Sequence, residues 1–390
     1  MRLSHALAGA LAAACLPSPA AAALPVLRID TPRAIPNEPK VHAQLRMPGY
    51  RGRIGIELRG QSSLRLFAKK SYAIELRDGE GEDRKAPLLG MPADGDWVLY
   101  GPYNDKTLMR NVVAYRMARW TGRYAPRTRF AELRLNGAHQ GVYVLIEKLE
   151  LGDDRVEGEA LLELTFPFQA RTKAPSFRTP LKRRPIVWED PERGDLSRAR
   201  AGAIAARVRA AERALYRRGG WRSRIDEAAA IDFALINELF KNQDAFHAST
   251  YMALRGDGRL HLGPVWDFDI AMGNSDYGPS RRLRGWMLAR RDWAERLYRD
   301  RRFARGMAAR WRELRARGLR RHVLRTVGRA ERSLHDALGP NFRRWPVLDR
   351  RIWPNPAARG SYRAETRFLR SWLKRRIAWI DGNVGSLTKR

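Results

Sequence analysis

Thr250-Tyr251-Met252-Ala253-Leu254, then Arg255-Gly256-Asp257-Gly258, then Arg259-Leu260-His261-Leu262: two short strand-like stretches joined by a turn rich in Gly and Asp predict a β-hairpin. Lys241-Asn242-Gln243-Asp244 stands just before it, and Gly263-Pro264-Val265-Trp266-Asp267-Phe268-Asp269 just after. A hairpin returns its two ends to one place. The loop with Asp244 is therefore expected beside the loop with Asp267 and Asp269. Acidic residues are scarce in this chain, 42 Asp and Glu against 75 Lys and Arg. Carboxylates set among Trp, Phe and Ile are costly to desolvate unless they meet a cation or a proton in transit.

Upstream, Asp226 is a cap residue, and Ile231, Leu235 and Leu239 recur on one helical face, so a helix is expected to end near Lys241. Three carboxylates gathered on loops suit a hard cation such as Mg2+. They also permit a division of labour, in which one Asp accepts a proton from a nucleophile while another holds the metal against phosphate oxygens. Helix, acidic loop, hairpin, acidic loop is the order found in protein-kinase catalytic centres. The bland alternative has Asp244 closing a turn and Asp267 paired with an Arg. A metal-dependent phosphoester hydrolase would use the same carboxylates with water as acceptor, but no His cluster supports a two-metal site. His247 and His261 read as packed or solvent-facing side chains.

From about residue 25 to 165 the chain reads as strands and turns. Arg53-Ile54-Gly55-Ile56-Glu57-Leu58 and Ser71-Tyr72-Ala73-Ile74-Glu75-Leu76 alternate. Asn136-Gly137 links Ala131–Leu135 to Val142–Ile146 as a second hairpin. One helix interrupts, with Asn104 or Asp105 as its cap and Leu108, Val112, Tyr115 and Ala118 at helical spacing. Arg59-Gly60-Gln61-Ser62-Ser63 and Lys69-Lys70-Ser71-Tyr72 bring hydroxyls and cations suited to phosphate. Glu147, ending an apolar strand, is placed to pair with one of those lysines. Residues 166–190 show no period and read as a loop. Beyond them the chain turns helical. Asp195 is expected to open a helix running to about Tyr216, and Arg-rich helices after Asp292 to break near Gly339-Pro340 and Pro354-Asn355-Pro356.

The 390 residues suffice for a large core, and 44 % hydrophobic content argues for a globular chain. Residues 1–23 read as an export signal: Arg2, an apolar run from Ala6 to Leu16, and Ala20-Ala21-Ala22-Ala23. The expected location is therefore periplasmic or extracellular, with no transmembrane helix. Cys15, the sole cysteine, lies inside that segment, which excludes intramolecular disulfides and multi-thiolate metal sites. A lipid anchor on Cys15 is the rival reading, disfavoured by the early position of Leu11. A net charge of +33 attracts polyanions. Anionic envelope polymers are candidate partners; nucleic acid is not, because no recognition motif is visible.

Taken together these segments resemble the CotH kinase family, named for a bacterial spore coat protein. The resemblance rests on Arg59–Ser63 with Lys69–Tyr72, on Trp97-Val98-Leu99 with Asp105-Lys106-Thr107-Leu108-Met109-Arg110-Asn111, and on Gly141–Glu147. Its most specific pieces are Asn242-Gln243-Asp244 and Gly263–Asp269, with Gly273-Asn274 beyond. It implies an α+β, diverged protein-kinase-like fold: a strand-rich N-terminal lobe over 24–165 and a helical C-terminal lobe over 166–390 carrying the acidic site. It implies ATP and Mg2+ as cofactors and a protein substrate with a Ser or Thr acceptor. Arg59, Ser62, Lys69 and Lys70 would hold nucleotide phosphates, and Glu147 would orient a lysine. Asp244 would be the catalytic carboxylate, with Asp267, Asp269 and Ser249 in the metal positions. Ser249 departs from relatives that carry Asn there, and it leaves a catalytically weak pseudokinase or envelope-binding scaffold as the alternative. The Gly-x-Gly-x-x-Gly loop and His-Arg-Asp triplet of ordinary kinases are absent.

Overall fold

A computed structural model describes residues 23–167, 175–217 and 220–389. Cys15 and the rest of residues 1–22 lie outside them. Strands β1 (Val26–Asp30), β2 (Val41–Met47), β3 (Tyr50–Arg59), β4 (Ser71–Arg77), β5 (Asp96–Tyr100), β6 (Thr128–Leu135) and β7 (Ala138–Glu147) close into a barrel in the order β1-β2-β3-β4-β5-β7-β6. The closing pair, β1 with β6, is parallel. The two alternating segments lie in β3 and β4, and Asn136-Gly137 turns β6 into β7 with both φ positive, 48° and 78°. That is the conformation Asn-Gly tolerates best.

The wall formed by β5 and β7 is apolar on both sides, because successive side chains point to opposite faces. Tyr143 and Leu145 fill the barrel with Trp97 and Leu99. Val142, Val144 and Ile146 turn outward with Val98 into the main core. This shared wall joins the barrel to the rest of the protein.

Five more strands, β8 (Ala160–Leu164), β9 (Ser176–Arg178), β10 (Pro185–Asp190), β11 (Thr250–Leu254) and β12 (Leu260–Leu262), form an antiparallel sheet in the order β12-β11-β8-β10-β9. The hairpin expected from the opening stretch is β11–β12, with Met252 opposite Leu262. The loop expected over 166–190 is corrected: β9 and β10 lie inside it, and 168–174 fall outside the described residues. In β10, Pro185 to Trp188 are all buried. A strand covered on both faces carries no alternation for a period to reveal.

Helices α1 (Ser62–Leu66) and α2 (Arg110–Trp120) interrupt the barrel; α3 (Arg198–Tyr216), α4 (Glu227–Phe240), α5 (Asp292–Arg299), α6 (Arg301–Ala316), α7 (Leu319–Leu334), α8 (Leu338–Arg344) and α9 (Tyr362–Asn383) follow. The fold is thus α+β. Asp226 caps α4 as expected, its carboxylate accepting the Ala229 N–H at 2.7 Å. Every residue from Ala229 to Phe240 is buried, so α4 is the central helix of the main core. Its Glu238 pairs at 2.9 Å with Arg376 of α9, both fully buried. Ser197 rather than Asp195 caps α3. The break expected near Gly339-Pro340 falls just before it: α7 ends at Leu334, a 3-10 turn spans His335–Ala337, and Gly339-Pro340 sits in the first turn of α8, where proline's missing N–H costs nothing. No described helix is long and apolar enough to cross a membrane.

Candidate functional site

The β11–β12 hairpin brings its two flanking loops together. The Asn242 side chain donates to the Trp266 carbonyl at 3.1 Å. Met272 N–H reaches the Phe240 carbonyl at 2.8 Å, and Gly263 N–H the Tyr251 carbonyl at 2.9 Å. These loops concentrate unusual backbone: Lys241, Phe246, Ser249, Asp267 and Met272 all have φ between 44° and 59°. Non-glycine residues adopt this region at a cost, and such strain persists only where the surroundings impose it.

The surroundings that impose it come from the segment Asn104–Asn111 and from α2. Asn111 Oδ1 accepts the Phe268 N–H at 2.7 Å, and the Tyr115 hydroxyl accepts the Asp267 N–H at 3.2 Å. Arg110 Nε donates to the Ala271 carbonyl at 3.2 Å. Its guanidinium also pairs with Asp105, and neither side chain exceeds 1 % exposure. Asp105 in turn accepts the Arg110 N–H at 2.8 Å. The cap position itself is Met109, with no side-chain cap, so neither Asn104 nor Asp105 is the cap expected; Asp105 satisfies the first N–H of α2 from five residues upstream, across a loop in which Leu108 has φ 62°. Asn274 donates to the Asp269 carbonyl at 2.7 Å and holds the far end of the loop.

Asp244, Asp267 and Asp269 act on one another. Burial, then Asp269, pushes the Asp244 carboxyl up to about 7, against Arg291. Burial, then Asp244, pushes Asp267 up to about 6, against Arg59 and a bond with Asp269. Asp269 is raised well above the usual range by burial and then by Asp267. All three side chains are nonetheless only half-buried, so they line a recess that solvent enters. The Asp244 carboxylate forms no hydrogen bond or ion pair among the described residues. Tyr100 Oη, influenced by Asp269 and Asp267, is buried without a hydrogen-bond partner among the described residues. A fourth acid, Glu163 of β8, was missed by sequence reasoning. It is 2 % exposed, accepts the Ser249 N–H at 3.2 Å and adds to the field on Asp267. A single acid inside Ala160-Leu161-Leu162-Glu163-Leu164 was the available signal.

The family model for CotH kinase protein matches residues 56–380, a span running from β3 through both acidic loops to α9. The chain belongs to the CotH kinase family. Membership implies a kinase-like function. No curated protein matches the chain.

The CotH-like segments of the barrel divide sharply in what they do. Arg59, ending β3, projects to the acidic recess: its guanidinium lies 5.7 Å from the Trp266 ring centre and pulls Asp267 down. It has no carboxylate partner and no side-chain hydrogen bond among the described residues. Ser62 is exposed at the start of α1. Lys69 is not available to phosphate, contrary to expectation. It is 2 % exposed and donates to the Val142 carbonyl and to Asn341 Oδ1 of α8, the latter at 3.1 Å. Burial holds its pKa far below the usual lysine value. Lys70 is likewise committed, to the carbonyls of Leu64 and Phe67 at the end of α1. Glu147 orients no lysine. Fully buried, it accepts from Arg127 at 2.9 Å and Arg155 at 2.7 Å. Ser249 meets Glu163 through its backbone. Among the described residues no group of three or more acidic, His or Cys side chains is drawn to metal-holding geometry.

A paired substitution separates these roles. On the expectation that this site takes Mg-ATP, Arg59→Ala should weaken its binding by roughly tenfold and leave the melting temperature unchanged, since it removes a cation that makes no internal hydrogen bond among the described residues. Lys69→Met should do the reverse, costing about 1–3 kcal/mol by taking a buried donor away from the Val142 carbonyl and from Asn341 Oδ1, which keeps only the Val142 N–H. Calorimetric titration and urea unfolding of both variants measure the contrast; a Lys69→Met protein of normal stability with lost nucleotide affinity would restore the lysine to the site.

Proposed function

We propose that this chain is an exported protein kinase that moves the terminal phosphate of ATP to Ser or Thr hydroxyls of secreted or envelope proteins. In this reading the barrel and the helical part serve as the two lobes of a diverged kinase-like fold. One observation carries it: three mutually repelling carboxylates meet beneath a barrel-borne guanidinium that has no acidic partner among the described residues. The residues of that recess supply complementary roles. Arg59 neutralises phosphate oxygens. Asp244, with no bond of its own, receives the acceptor hydroxyl and orients it for in-line attack. The export reading rests on residues 1–23.

A hard divalent cation fits the donor set, because carboxylates that raise one another's pKa are relieved by positive charge between them. In this reading Asp267 and Asp269 are the protein ligands, two residues apart on one loop and acting on each other. Mg2+ is commonly held by one or two carboxylates, with water and substrate phosphates completing its shell. When bound, it would neutralise charge on the transferring phosphate. Ser249 supports a second reading, a nucleotide-binding scaffold without transfer, because a relative's metal-binding Asn has no counterpart there.

Calorimetry tests the first reading. The wild-type chain should bind ATP only with Mg2+ present, and Asp267→Ala should lose roughly tenfold or more of that affinity. Identical titrations of the two proteins, or no heat from either, would remove the enzymatic proposal.

A further inference from the structure

Just beyond Asp269 lies a surface that phosphate transfer itself does not use. Tyr277 and Trp353 are exposed, 38 % and 53 %, and their rings stack 5.6 Å apart with 4° between planes. The stack is fixed on one side to the Asp269 loop. Asp276 N–H reaches the Pro354 carbonyl at 2.9 Å, and Arg351 pairs with Asp276. Asn355 donates to Asn274 Oδ1 at 3.0 Å, and Asn274 holds the Asp269 carbonyl. On the other side it is fixed to the Asp244 loop. Lys241 donates to the carbonyls of Pro279 at 3.2 Å and Arg284 at 2.8 Å, and Ser280 N–H reaches Gln243 Oε1 at 3.3 Å.

The stack lies on the Asp244 side of the recess. Burial raises the Tyr277 phenol to about 12, and among the carboxylates acting on it Asp244 comes first. Arg59 acts instead on Asp267. Arg281, Arg282 and Arg284 lie on the same segment, beyond Gly278-Pro279-Ser280; all three are exposed, and their guanidinium groups have no ion pair or hydrogen bond among the described residues. Flat rings, and unpartnered guanidinium groups on the same anchored segment, offer stacking area and carboxylate-binding forks.

We propose that the Tyr277–Trp353 stack together with Arg281, Arg282 and Arg284 is the acceptor-docking surface, and that it takes an acidic protein segment with an aromatic or apolar side chain laid on the rings. The proposal rests on the kinase reading for the role of Asp244, and names the substrate class of that site. Charge complementarity selects the occupant: the patch is cationic, rigid and open, and it adjoins the carboxylate assigned to the acceptor hydroxyl rather than the cation assigned to phosphate.

Fluorescence anisotropy of the full chain with a labelled peptide, one Ser among several Glu with one Phe, tests this without nucleotide. The triple variant Arg281→Ser/Arg282→Ser/Arg284→Ser should bind the peptide roughly tenfold more weakly, as should Tyr277→Ala/Trp353→Ala. A control triple, Arg321→Ser/Arg325→Ser/Arg329→Ser on the exposed face of α7, removes equal charge and should stay within about twofold of wild type. Mg-ATP affinity should be unchanged in the docking variants. Equal weakening by both triples would reduce the effect to bulk charge and overturn the proposal. Absence of peptide binding, equal binding of a Lys-for-Glu peptide, or loss of ATP binding in the docking variants would overturn it too. Failure of the kinase reading would show separately, as a wild-type chain that does not bind Mg-ATP.

Discussion

Asp244→Asn should lower phosphate transfer to a protein acceptor by about 10²–10⁴-fold, the range for losing a positioned proton acceptor. Asparagine is nearly isosteric and accepts no proton at neutral pH. Because Asp244 is assigned to the acceptor hydroxyl and not to the phosphate or the cation, Mg-ATP affinity should change far less than transfer does. Stability should not fall, since the native carboxylate makes no internal bond to lose. The pH dependence has a definite sign. The folded carboxyl titrates near 7 against an ordinary value of 3.8. Between those values the folded chain holds more protons than the unfolded one, so Asp244 lowers stability as pH rises through that window. Asparagine does not titrate. The variant should therefore melt higher than wild type at about pH 8 and converge with it at about pH 4. Label transfer, calorimetry and melting curves check the three parts. An Asp244→Asn protein that phosphorylates as well as wild type would leave the recess without a catalytic carboxylate.

Arg110→Ala should be among the most damaging single changes, at about 3–5 kcal/mol, because it strands a buried carboxylate. Arg110 is 0 % exposed and pairs with Asp105 at 1 %. It also donates to Thr107 Oγ1 at 3.2 Å and to the Ala271 carbonyl. Removing it leaves Asp105 charged in the core and frees the far end of the acidic loop, so activity should be lost even in the fraction that folds. The double variant Asp105→Ala/Arg110→Ala should be less destabilised than the two single changes summed, since neither charge is then left unpaired. Urea unfolding of the three proteins measures this. Additive losses would mean that the pair is not coupled.

The segment from Asp105 to Asn111 shows how a motif can be visible without its role being so. It was recognisable as part of the family pattern. Its residues turn out to clamp the backbone of Phe268 and Ala271. Glu163 was hidden for a related reason. Its strand reads as apolar, and only the β8–β11 pairing, with Tyr251 opposite Glu163, brings it to Ser249. β10 escaped because burial on both faces erases alternation.

What the chain's order of residues determined by itself was local. Asn136-Gly137 dictates a hairpin, Asp226 caps α4, and a short turn after Leu254 folds Asp244 back toward Asp267. Each follows from backbone preferences and hydrogen bonds spanning a few residues. Only the tertiary structure decided which cation serves the recess. Arg59, Lys69 and Lys70 were equal candidates, yet Lys69 bonds Asn341, 272 positions away, Lys70 bonds two carbonyls of its own loop, and of the three only the Arg59 side chain makes no hydrogen bond among the described residues. The reason is physical: a long flexible side chain takes whichever acceptors the packed fold offers its head group, and those come from distant segments that no local pattern encodes.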